Sequence, residues 1–337
     1  MNNRKLLSAL TAAAVSLAAF TLSSCGEKED PGERLKTRAE GLFAKGEYDE
    51  ATRVYDKLFL DYPERAADAK VAEERDLAKA RALFEEARSA ARTNRFEEAG
   101  EVLTEALALA PNDAEINYGI GWVYIQTALE YQAQARVTGG GAQADYGLLA
   151  DAHAELARER FERSIELDAK HWAGYRGIAV YHLYKGESEE ALKALAEADK
   201  YSKTADEKIT VGRLRFRAYA AESKFDEGKK ALDALVEKYP DYGEAYFALG
   251  EYYLLLAKPD FKEAAKAFEV GVTKKFEDPG TRGQMYAMLS RLRIRNGDYD
   301  GALAAAKAAL ADDPFNEMFT DEYAVAWGAK KLSEKPK

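Results

Sequence analysis

The chain is 337 residues long, 47% apolar and 32% charged, with a formal net charge of −10. That charge argues against sequence-independent nucleic-acid binding, which needs clustered lysines and arginines to neutralise phosphates. The length suggests about two domains, unless the chain is an array whose units stack without closing on one core.

Residues 1–24 read as a signal peptide. Two cations in "MNNRK" precede the uncharged "LLSALTAAAVSLAAFTL" of residues 6–22, and a polar "SSCGEKED" follows. The run is short for a membrane span. Its end, "LSSC" (22–25), resembles the lipobox of bacterial lipoproteins, and the resemblance implies that Cys25 is lipidated and becomes the first residue after cleavage. Cys25 is the one cysteine, so no disulfide can form within the chain. The alternative is an ordinary cleaved signal that happens to contain a cysteine. More than one acyl chain on Cys25 would give stable anchoring. Losing Arg4 and Lys5 takes the charge from −10 to −12. Residues 25–31 form the lipidated tether, whose "CGEKED" spans at most ~20 Å and holds the folded part close to the membrane. Gly26 follows the cysteine, and by similarity to proteobacterial lipoproteins it implies the periplasmic face of the outer membrane.

From there a short signal recurs: "GEYDEA" (46–51), "NRFEEA" (94–99), "GESEEA" (186–191), "SKFDEG" (223–228), "PDFKEA" (259–264) and "GDYDGA" (297–302). Its last residues are Ala51, Ala99, Ala191, Gly228, Ala264 and Ala302, with Ala157 in "ELARERFERSIELD" joining them. Intervals of 34, 37, 36 and 38 residues separate the last five. A large residue stands four positions after most markers, and proline stands twelve after four of them, at Pro63, Pro111, Pro240 and Pro314. The small marker lets neighbouring helices approach, and proline ends the unit. Such a period identifies a helical repeat array.

The pattern resembles the tetratricopeptide repeat, a 34-residue pair of antiparallel helices. That resemblance implies an all-α, right-handed α-solenoid of about seven helix pairs over residues 32–316. The best unit is 243–276, and the weakest is 209–242, where Arg215 and Phe216 replace the usual Leu-Gly. "GEYDEA" is then the turn and first turn of each second helix. Two intervals are long. The 48 residues from Ala51 to Ala99 predict that "ERAADAKVAEERDLAK" extends the next first helix. The 58 from Ala99 to Ala157 predict an insertion at about 132–153: two elongated helices joined by a loop at Gly139–Gly141. It serves either as a solvated loop or as a partner-binding arm. Residues 317–332 read as a capping helix and 333–337 as a tail.

No catalytic constellation is visible, which points away from an enzyme, and no cofactor is implied. His153, His171 and His182 lack metal-ligand spacing. "GGG" lacks the Lys-Ser/Thr of a phosphate loop. In tetratricopeptide arrays, outward positions of first helices line a peptide-binding groove. On this sequence those positions are Arg81, Arg88, Tyr118, Trp122, Arg176, Arg213, Arg217, Phe247, Glu251 and Arg291. Arg213 and Arg217 lie four apart, repel by a few tenths of a kcal/mol, and find no neutralising group in their immediate helix. Two readings stand: pairing with acids of adjacent helices or solvent, or a groove for an acidic or carboxylate-ended peptide, which arginine's planar fork suits.

The expectation is a membrane-anchored scaffold for protein partners in envelope assembly or secretion. The combination is similar to outer-membrane scaffolding lipoproteins, including BamD-type assembly factors and type IV pilus pilotins. The alternative is a transporter-associated subunit that binds a small ligand or docks a solute receptor.

Overall fold

The computed structural model describes residues 30–92, 95–276 and 279–334. The signal peptide, Cys25, most of the tether and the tail from residue 335 lie outside them. Sixteen helices occur among the described residues: α1 Pro31–Ala44, α2 Tyr48–Asp61, α3 Pro63–Ala66, α4 Ala69–Arg92, α5 Phe96–Leu109, α6 Ala114–Val137, α7 Gly141–Leu167 and α8 Trp172–Lys185 in the first half. The rest are α9 Ser188–Tyr201, α10 Ala205–Ala221, α11 Phe225–Lys238, α12 Gly243–Leu255, α13 Phe261–Gly271, α14 Pro279–Arg295, α15 Tyr299–Asp312 and α16 Glu317–Ser333. Two compact units divide within α4, at Lys79 and Ala80.

In the first unit, α1 and α2 enclose a core of Ala39, Ala51, Val54, Tyr55 and Leu58. Asp30 caps α1 by accepting from the Gly32 N–H at 3.1 Å, and Arg65 of α3 bonds the same carboxylate. The predicted extension of the next first helix begins only at Ala69, because Pro63 opens a separate helical turn at α3.

The second unit is a succession of helix pairs, α4/α5 to α14/α15, followed by α16. Each recurring fragment is a turn into a second helix: α2, α5, α9, α11, α13 and α15 begin at Tyr48, Phe96, Ser188, Phe225, Phe261 and Tyr299. Four of the turns share one geometry. Gly46, Gly186, Ser223 and Gly297 are left-handed, with φ of 80°, 75°, 59° and 77°. The next N–H closes the helix end on a carbonyl five residues back, as from Glu187 to His182 at 2.8 Å and from Asp298 to Arg293 at 2.9 Å. Glycine occupies three of these positions because a Cβ disfavours that backbone.

The markers are all buried, and two of the large residues after them, Phe161 and Phe268, fill slots left by glycines. Phe161 of α7 lies between Gly121 and Gly177, where added Cβ atoms would meet its ring at 2.7 and 2.3 Å. Phe268 covers Gly250 at 2.1 Å in the same sense. The weakest repeat inverts the arrangement: Phe216 stands on the first helix, and the marker opposite it is Gly228. Size is exchanged between the two helices, so the pair still packs. Arg215, the other departure, pairs with Asp199 at 3.2 Å.

The α6/α7 pair is the elongated one, with 24 and 27 residues. Thr138, Gly139 and Gly140 join the helices, Gly140 at φ 65°, and Gly141 already opens α7. Tyr131 stacks on Tyr146 with centroids 6.1 Å apart. Phe319 of α16 is fully buried against Gly283.

Replacing Gly250 by alanine is expected to destabilise the protein by about 1–3 kcal/mol, despite the ~1 kcal/mol that alanine contributes in a helix. The Phe268 ring is buried and cannot swing clear. Gly139→Ala meets nothing within 4 Å and should change stability by less than ~1 kcal/mol. Chemical denaturation compares the two, and equal effects would contradict the interlock.

Candidate functional site

First helices of three successive pairs, α4, α6 and α8, converge on a pocket of about 220 Å³. From α4 come Phe84, Ala87, Arg88 and Ala91; from α6 come Tyr118, Gly119, Trp122 and Val123. Leu103 of α5 and Arg176 of α8 complete the wall. Helical spacing explains the convergence, since Phe84 and Arg88, Tyr118 and Trp122, and Trp172 and Arg176 are each four apart on one face.

Arg176 is held by rings. Its guanidinium carbon lies 5.2 Å from the Tyr118 centroid, 4.8 Å from Trp122 and 5.3 Å from Trp172, each within cation–π range. Burial pulls its pKa down to about 10, opposed by the charges of Asp206 and Glu115, so it remains cationic at neutral pH. Its Nε and the Tyr118 hydroxyl are buried with no hydrogen-bond partner. Beneath the pocket His171 joins Ser164 at 2.6 Å, and its Nε2 lies 3.1 Å from Glu115. Burial would raise the Glu115 carboxyl, but the His171 ring and the charges of His171, Arg81 and Arg176 outweigh it and hold the pKa below its ordinary value. Its contribution to stability is therefore present above the ordinary carboxylate range and is lost as pH falls through the lowered value.

Of the groove positions expected from sequence, the pocket gathers Arg88, Tyr118, Trp122 and Arg176. Arg88 also pairs with Glu85 at 3.0 Å on the exposed surface. The others are engaged elsewhere. Arg81 meets Asp113, the cap of α6, at 2.8 Å. Arg291 bonds Glu322 of α16 at 2.6 Å, a carboxylate only 3% exposed. Arg213 and Arg217 share Glu251 of α12, at 3.4 and 2.8 Å, and Arg213 also lies over the Phe247 ring at 4.8 Å. Pairing between adjacent helices thus neutralises the two arginines that looked unpaired in the sequence. One placement is corrected: Phe247 is 2% exposed and packs inward, whereas Tyr118, 8% exposed, is buried but still borders the pocket. Phe247 belongs to the core with Phe268 and Met285 because the glycine slot of α12 draws Phe268 against it.

Sequence reasoning missed Trp172 and Phe84. Both stand four residues before an arginine already singled out, so helical spacing alone could have found them. Among the histidines, His153 bonds the Leu149 carbonyl at 2.8 Å and His182 pairs with Glu187 at 2.7 Å.

Arg213→Ala would remove the more buried partner of Glu251, 15% exposed, and the contact with the Phe247 ring while Arg217 stays in place, and should cost about 2 kcal/mol. Arg217→Ala, at the half-exposed end, should cost about 1 kcal/mol or less. Urea denaturation of both variants checks this, and two small, equal losses would contradict the inter-helix role.

The sequence profile of the tetratricopeptide repeat matches residues 84–128, 213–279 and 287–327. No curated protein matches the sequence. Among solved structures, a tetratricopeptide repeat protein from Parabacteroides merdae ATCC 43184 is similar with a TM-score of 0.55 at 11% identity, covering 88% of this chain and 98% of that one. PilF of Pseudomonas aeruginosa is similar with a TM-score of 0.43 at 13% identity, over 73% of this chain and 97% of that one. At these identities the likeness concerns fold alone: the chain has an all-α tetratricopeptide-repeat fold.

Proposed function

We propose that this protein is a lipid-anchored interaction scaffold of the bacterial envelope. Cys25 tethers it to the membrane, probed below, and the first-helix face of the α4 to α8 region binds an acidic or carboxylate-ended partner. The observation that carries the binding half is the pocket itself. Three successive first helices contribute to it, and among the described residues the charged ones in its wall are Arg88 and Arg176, in a chain of net charge −10. The repeat fold supports the reading, since stacked helix pairs present extended binding faces. The anchoring half rests on "LSSC" and the charged, then apolar, start of the chain. A role in envelope assembly or secretion follows from the pairing of anchor and repeat.

Affinity purification of the detergent-solubilised protein should recover a protein partner that is lost from Trp122→Ala and retained by Arg217→Ala. Equal recovery from both would place binding away from the pocket. Added salt should weaken the complex where the contact is exposed.

For the anchor, Cys25→Ala should abolish metabolic acyl labelling and leave an unprocessed or soluble protein. An unlabelled parent, with membrane partitioning unchanged by the substitution, would remove this half of the proposal.

A further inference from the structure

The outer face of α16 is not the polar surface that a terminal cap of a repeat array needs to stay soluble. Among the described residues thirteen large apolar side chains are exposed, and five of them fall between Phe315 and Leu332. Phe315, Val325, Trp327 and Leu332 are at least half exposed, and Met318 is 42% exposed. Apolar side chains gathered in this way on one short segment mark a contact surface.

Register gives the shape of the contact. Gly121 and Gly250 each stand ten residues after a repeat-ending proline, Pro111 and Pro240. Each receives a ring from the following second helix, Phe161 or Phe268. Ten residues after Pro314 stands Ala324, and it is exposed. Helix α16 thus presents the slot face of a first helix, and among the described residues no second helix follows it. One turn further on, a Cβ built on Gly328 would meet nothing within 4 Å. The face has the shape to receive a helix.

It is also its own complement. Ala326 is buried on the opposite side of α16, and three pairs of positions are symmetric about it: Ala324 with Gly328, Val325 with Trp327, and Asp321 with Lys331. A two-fold axis at that level sets each position of one copy against its symmetric mate in an antiparallel second copy. With 3.6 residues per turn, Ala324 and Gly328 lie at the centre of the exposed face, where the two backbones can approach closely. Val325 and Trp327 flank them on opposite edges. The two-fold exchanges the edges, so each indole meets the valine of the other copy. Asp321 and Lys331 are offset in the same way and meet as ion pairs. In the single chain Lys331 pairs with Glu334 at 3.1 Å on the exposed surface, a contact worth little and readily exchanged. The antiparallel arrangement sets the acidic first turn at Glu317 near the basic last turn at Lys330 and Lys331. A second copy of the chain therefore brings the matching shape and charge without any foreign partner.

We propose that α16 is a self-association surface, on which a second copy of this chain docks its own α16 antiparallel. None of the pocket residues takes part, so the proposal stands apart from the scaffold reading. One helix per copy makes an interface at the small end of the known range, and the dimer is reversible.

The test is disulfide trapping in intact cells, with Asp321→Cys and Lys331→Cys combined in the full chain and a thiol oxidant added. The parent, which carries Cys25 alone, gives the background. Ten residues of helix put the two positions ~15 Å apart, beyond the ~7 Å that a disulfide spans between Cα atoms, so they cannot close within one chain. The combined variant is expected to give a covalent dimer. Neither single variant should, because its own counterpart in the other copy again lies ~15 Å away. Adding Gly328→Glu puts a charge at the centre of the contact and should cut the dimer at least about tenfold. Its melting temperature should match the parent's, since its side chain enters open space in the single chain. In sedimentation of the detergent-solubilised protein, Asp321→Lys should weaken self-association about tenfold, and adding Lys331→Asp should restore it. No dimer from the combined variant, an equal dimer from either single variant, indifference to Gly328→Glu, or no restoration by the charge exchange would overturn the proposal. An adduct with a different protein alone would also overturn it and assign the face to that partner.

Discussion

Rings seated in glycine slots hold helices of the second unit in close contact, and the side chains around the pocket take their positions from that packing. Phe161 lies against Gly121 and Gly177, which belong to the first helices of successive pairs. It therefore fixes α6 and α8 on either side of one ring. Tyr118 and Trp122 ride on the first of these helices, and Trp172 and Arg176 on the second. A side chain in place of either glycine would push apart the helices that make the Arg176 cage. Close packing of this kind yields little to added volume.

Charge is then distributed around that frame. An acidic chain with many first-helix arginines resolves most of them internally, with Asp113, Glu251 and Glu322 each receiving an arginine from a neighbouring helix. Such pairs fix register more than they add stability, because desolvation offsets much of their attraction. Arg176 differs because three aromatic faces position its guanidinium. A pocket walled largely by apolar side chains lies beside it.

Much of the fold was legible in the sequence because a repeat states the same packing rule several times. Every marker from Ala51 to Ala302 except Ala157, which lies deep inside the elongated α7, falls in the first turn of a second helix, and the glycine run at 139–141 marks the break between α6 and α7. The separate turn at α3 was not legible, since only its proline distinguishes it from a longer α4. At the site, the period identifies which positions share a face, but it does not say which neighbour an arginine will reach. Glu251 is 34 residues beyond Arg217, close to one repeat away, and only the stacked helices bring them together. The burial of Phe247 was hidden for the same reason: its position is outward by register, yet the ring of Phe268 draws it into the core. Trp172 and Phe84 were within reach, each one helical turn before a residue already identified.

The central claim is that partner binding occurs on the first-helix face around Arg176 and not on the second helices. Site-specific photocrosslinking in cells tests it most directly, with the crosslinking residue placed at position 88 on α4 or at exposed position 101 on α5. The account predicts a discrete protein adduct from position 88 that disappears when Trp122→Ala is added, and none from position 101. An adduct from position 101 alone, or one from position 88 indifferent to Trp122, would contradict it.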